Sequence, residues 1–71
     1  MNSHVKRWID EIILSLKVGE VFTATGIREK LIEQRGTTFV CDSSAIGWYV
    51  KRNKNVEVKE EPRGRREYLR V

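Results

Sequence analysis

The residues in this chain whose side chains suit catalysis stand apart from the partners they would need. His4 is the only histidine and lies near the start, and Cys41 is the only cysteine. A thiol becomes a nucleophile when a base or cation lowers its pKa, and no base adjoins Cys41 in the sequence. Neither residue has companions at metal-ligand spacing. Glu60 and Glu61 are adjacent; on a strand they point to opposite faces and make no paired-carboxylate site. No glycine-rich phosphate loop occurs. Neither an enzyme nor a bound metal or cofactor is expected, and no small-molecule substrate is evident.

The cations tell a different story. Residues 1–50 carry six cations against six acids, whereas residues 51–71 carry eight against four. The whole net charge of +4 therefore lies in the last third. Such asymmetry points to a polyanionic partner. Two groups stand out within it. Lys51 and Arg52 end the stretch "SSAIGWYVKR" close to Trp48, and Arg63, Arg65 and Arg66 cluster around "EPRGRR".

These groups need a scaffold, and 71 residues allow one small domain spanning 1–71. A chain of this size buries only about 60% of its unfolded surface. With 39% apolar residues there is material for one core. No run approaches the roughly 18 apolar residues of a membrane span, and no basic-then-apolar signal peptide opens the chain. A single cysteine excludes an internal disulfide and fits a reducing compartment, so a cytoplasmic location without membrane contact is expected.

The apolar spacing predicts a first helix from about His4 to Lys17, capped by Asn2 or Ser3. Its stripe is Val5, Trp8, Ile9, Ile12 and Leu16, with Ile13 on the edge, and Gly19 ends it. "EVFTATG" reads as a short extended segment with Val21 and Phe22 inward and Thr25 as the next cap. A second helix follows from about Gly26 to Gln34, burying Ile27, Leu31 and Ile32 and stopping at Gly36. "TTFVCD" reads as loop, with Phe39 or Val40 against the core. Asp42 or Ser43 then caps a third helix reaching about Asn53.

In that third helix Ile46 and Val50 share one face with Tyr49 beside them, while Ser44, Gly47, Trp48, Lys51 and Arg52 take the other. Gly47 costs the helix about 1 kcal/mol relative to alanine, which a close approach to phosphate or to the second helix would offset. The exposed Trp48 suits three surroundings: a sugar or base edge, a second subunit, or the loop at Phe39. The chain ends with a change of period. "VEVKEE" alternates, "EPRG" suits a type I turn, and "REYLRV" returns with Leu69 and Val71 on one face.

The order helix, short strand, helix, helix, two-stranded hairpin resembles the winged helix-turn-helix family over nearly the whole chain. "TATGIREKL" looks like that family's second helix, "SSAIGWYVKR" like its recognition helix, and Val56 to Val71 like its wing. One departure is the connection of about seven residues between the second and third helices, longer than the tight turn of the simplest members.

The resemblance implies an α+β winged helix with three helices, a short strand and a C-terminal two-stranded β-hairpin wing. It implies a small DNA-binding protein, a transcription regulator that contacts duplex DNA through the third helix and the basic wing. Ser44, Trp48, Lys51 and Arg52 would face the groove. Arg63, Arg65 and Arg66 would reach the minor groove or flanking backbone, and Thr25 and Arg28 would hold a phosphate at the start of the second helix. Two other functions stay open: a protein-interaction module of a larger assembly, and a binder of structured RNA. A homodimer is compatible with either DNA or protein binding, with the first helix as its contact.

Overall fold

The computed structural model describes residues 2–38, 41–60 and 66–71. The chain folds as an α+β domain of three helices and a three-stranded antiparallel sheet. Helix α1 spans Ser3–Ser15, strand β1 Val21–Phe22, α2 Ala24–Arg35, α3 Ser43–Val50, β2 Val56–Glu60 and β3 Arg66–Arg70.

Helix α1 begins where Asn2 Oδ1 accepts the His4 amide at 2.8 Å, so Asn2 is the cap. Val5, Ile9, Ile12 and Ile13 are buried, and Ile13 is as inaccessible as Ile9 rather than marginal. The helix stops at Ser15, short of Lys17, because Leu16 turns extended to bury its own side chain. Gly19 follows in a left-handed turn (φ +92°), a conformation other residues rarely adopt. Its amide donates to the Arg70 carbonyl at 2.7 Å, and the Arg70 amide donates to the Glu20 carbonyl at 2.9 Å. This turn thereby ties the end of α1 to the end of β3.

Helix α2 is capped by Thr23, whose Oγ1 accepts the Gly26 amide at 3.0 Å. Thr25, the expected cap, lies within the first turn, because the extended backbone needed at a cap ends at Thr23. The helix therefore starts at Ala24, before Gly26, and runs to Arg35. Gly36 closes it at φ +77°. Ile27 and Leu31 are buried and Ile32 half-buried. Residues 36–42 join α2 to α3, and the expected placement of Phe39 or Val40 falls outside the described residues.

Helix α3 packs Ile46 and Val50 into the core, both with no exposed surface. It ends at Val50 rather than Asn53. Beyond it the Arg52 and Asn53 amides bond three residues back, to Tyr49 and Val50, tightening the chain toward β2. Asp42 occupies the cap position without a side-chain cap bond.

Strand β3 is central, in the order β1-β3-β2, so the short first strand joins the hairpin's sheet. The register pairs Phe22 and Val58 with Tyr68, and Val21 and Glu57 with Leu69. Successive residues alternate faces, so one of these sets must point outward. Tyr68 points in, at 2% exposure, and stacks on Phe22 with ring centroids 5.7 Å apart. Leu69 and Val71 therefore do not form the core face, and Val21 is 40% exposed instead of inward. Arg70 shares the inner side of β3 and donates through Nε to the Ile13 carbonyl at 3.0 Å. The Ile13 carbonyl, which also accepts the Leu16 amide at 3.1 Å, thereby gains a second donor at the end of α1.

Gly47 is buried, not on the outer face. The Tyr68 hydroxyl sits over its backbone and donates to the Gly47 carbonyl at 3.5 Å. A Cβ at Gly47 would lie 2.9 Å from that hydroxyl oxygen and 3.8 Å from Ala24 Cβ. The glycine lets β3 and α2 close on α3, and this contact offsets its poor helix propensity.

Candidate nucleic-acid interface

Opposite the buried Ile46 and Val50, Trp48 stands 59% exposed on α3. The Lys51 ammonium lies 3.7 Å from its ring centroid and the Arg52 guanidinium carbon 5.7 Å. Residues three and four positions on share a helix face, so both cations reach the ring from its C-terminal side. Each such contact is worth about 0.5–1 kcal/mol at an exposed site. The two charges are held together at a helix end, where the macrodipole favours them.

Trp48 also lines a groove of about 690 Å³ that opens between the starts of α2 and α3 and the start of β3. Thr23, Thr25, Ser43 and Ser44 supply hydroxyls, Trp48 and Arg66 flank it, and Gly47 and Tyr68 line it beside Ala24. The close packing at Gly47 thus brings β3, with Arg66, alongside the helix that carries Trp48. An arginine, several hydroxyls and an aromatic wall suit a phosphate-bearing ligand with a flat apolar part.

A polar cluster on α1 fixes the rotation of α3. The Tyr49 hydroxyl donates to both Asp10 carboxylate oxygens, at 2.9 and 2.8 Å, and Asn53 Nδ2 donates to Asp10 Oδ1 at 3.2 Å. Tyr49 follows Trp48 directly, so anchoring one directs the other outward. Partial burial, then the hydrogen bond and negative charge of Asp10, push the Tyr49 phenol up to about 12. The native state therefore keeps this proton where the unfolded chain has released it. Stability from the contact is complete below about pH 10, the ordinary tyrosine value, and drains away between about 10 and 12. Absorbance titration should show the Tyr49 phenol ionising at about pH 12. In Asp10→Asn that group should titrate lower yet stay above the ordinary value, because burial remains. An unchanged titration would mean that Asp10 does not bear on Tyr49.

Of the residues singled out from the sequence, Thr25, Ser44, Trp48 and Arg66 meet at the groove, and Lys51 and Arg52 join them through the Trp48 ring. Arg28 is half-buried, and its Nε donates to the Cys41 carbonyl at 3.3 Å, which tethers the connection entering α3. Arg63 and Arg65 lie outside the described residues. Sequence reasoning missed Thr23, Ser43 and Tyr68 at the groove and Asp10 behind it. The Thr23–Gly26 cap spacing was a readable signal for the first. The Asp10–Tyr49 pair is 39 residues apart, and no local pattern marks it. Among the described residues no group of three or more potential ligands could hold a metal ion, and no helix is long and apolar enough to cross a membrane. No protein-family model, curated protein or solved structure matches this chain.

Proposed function

We propose that this chain is a winged helix-turn-helix domain that binds duplex DNA as a transcription regulator. The reading rests on one observation above others. The face of α3 turned away from the core carries Trp48 with Lys51 and Arg52 against its ring, and Arg66 of the hairpin lines the groove beside it. The element order and the β1-β3-β2 sheet suit the same reading. In it, α3 enters the major groove with Ser44 and Trp48 toward base edges and Lys51 and Arg52 toward phosphate. Arg66 tracks the neighbouring backbone, and Arg63 and Arg65, close to it in the sequence, add phosphate contacts. Thr25 contacts a phosphate near the start of α2. Arg28 contributes mainly by holding the connection that positions α3.

The test is a salt titration of affinity for random duplex DNA, followed by fluorescence anisotropy. With about five phosphates neutralised, the log–log slope should be roughly −4 to −5. Affinity that ignores salt would refute phosphate contact and leave a protein-docking role. Tighter binding to duplex RNA than to DNA of the same sequence would move the function to structured RNA.

A further inference from the structure

We infer that the groove beside Trp48 receives an unpaired base, so that the preferred ligand is duplex DNA carrying an extrahelical nucleotide. The inference rests on the DNA-binding reading and narrows its substrate class. A recognition helix in an intact major groove meets base edges, because every base face is covered by its stacked neighbours. Offset stacking on a base uses the whole face of an indole, so contact with base edges alone uses Trp48 poorly. Lys51 lies 3.7 Å and Arg52 5.7 Å from the centroid of the Trp48 ring, yet neither lines the groove. Trp48 does line it, and the other α3 residues of the groove, Ser43, Ser44 and Gly47, all precede Trp48, away from the two cations that follow it.

The size and lining of that groove support this occupant. Its volume of about 690 Å³ lies in the range of small-molecule sites, roughly 300–1,000 Å³. Thr25 and Ser44 offer hydroxyls to the rim of a base, and Arg66 faces the same space. The flanking phosphates would meet Lys51 and Arg52 across the ring, so charge and apolar surface alternate as they do along a nucleotide strand. Base-on-aromatic stacking of this kind is the device of single-strand binding surfaces. An extrahelical base brings it to a duplex at small cost, since its unstacking is already done.

Three labelled probes test this with the full chain: a paired duplex, the same duplex with one extrahelical adenine, and the same duplex with an abasic residue in that place. Affinity should be about tenfold higher for the extrahelical adenine than for the paired duplex. The abasic probe, equally bendable but lacking the ring, should fall back toward the paired level. In a Trp8→Phe host the remaining tryptophan fluorescence should respond to the adenine probe and much less to the abasic one. Trp48→Ala should level the three affinities while keeping salt-dependent binding, and Trp48→Phe should retain part of the preference. Equal affinities in the wild type, or a preference that survives Trp48→Ala, would overturn the inference alone. Failure to bind any probe at low salt would overturn the DNA reading with it.

Discussion

Ile46→Ala should melt about 10–30 °C below the wild-type protein, while Trp48→Ala should lose only about 4–8 °C. The two residues lie two positions apart on one short helix and differ in what surrounds them. Ile46 has no exposed surface and sits in the cluster formed by α1, α2 and the sheet. Truncating such a side chain costs about 2–5 kcal/mol through lost transfer energy and the cavity left behind. In a domain of this size each kcal/mol moves the melting point by about 4–8 °C. Total stability at roughly 0.05–0.15 kcal/mol per residue is only about 4–11 kcal/mol, so one truncation removes a large share. Val50→Ala should follow the same course with a smaller loss, by about the 0.8 kcal/mol of one methylene.

Trp48→Ala makes no cavity. It forfeits two cation–π contacts of about 0.5–1 kcal/mol each and regains part of that as helix propensity, so the net loss is about 1 kcal/mol, small beside that of Ile46→Ala. Its effect should appear in binding, with the phosphate contacts of Lys51, Arg52 and Arg66 left in place. Thermal denaturation beside duplex affinity for the three variants decides the matter. If Trp48→Ala melted as early as Ile46→Ala, the outward face assigned to α3 would be wrong. A Trp48→Ala protein that melts normally but changes mass in solution would mark the ring as a subunit contact.

The helices were legible because burial leaves a periodic trace. Ile9, Ile12 and Leu16, or Ile46 and Val50, are apolar at helical spacing and indeed buried. The sheet left a misleading one. In "REYLRV" the apolar letters are Leu69 and Val71, yet register with Phe22 selects Tyr68 for the core, with its hydroxyl reaching the Gly47 carbonyl. Alternation gives the period but not the phase, and pairing with β1 sets the phase. A strand of two residues carries too little pattern to announce that pairing. The same limit applied to the groove. Its helix residues could be read from α3, but its hairpin wall depends on the contact between Gly47 and Tyr68, 21 residues apart. Threonine suits a cap at either place, so which of Thr23 and Thr25 serves depends on where the extended β1 backbone ends.

The contact that escaped the sequence also yields the second large effect. Gly47→Ala should destabilise the domain, although alanine is the better helix former by about 1 kcal/mol. The added methyl would lie 2.9 Å from the Tyr68 hydroxyl oxygen, and that ring is buried between α3 and Phe22 with little freedom to retreat. Overpacking of this kind costs about 1–3 kcal/mol, so a net loss of about 1 kcal/mol, or some 4–8 °C, is expected. Tyr68→Phe removes the oxygen that the methyl meets. In that background Gly47→Ala should change sign and raise the melting temperature, because the propensity gain is no longer opposed. A double-mutant cycle from thermal or urea denaturation measures the coupling directly. Additive effects would show that the glycine is required for a reason other than its contact with Tyr68. Strong coupling places the glycine's role inside the fold, where it draws β3 against α3 and sets Arg66 across the groove from Trp48.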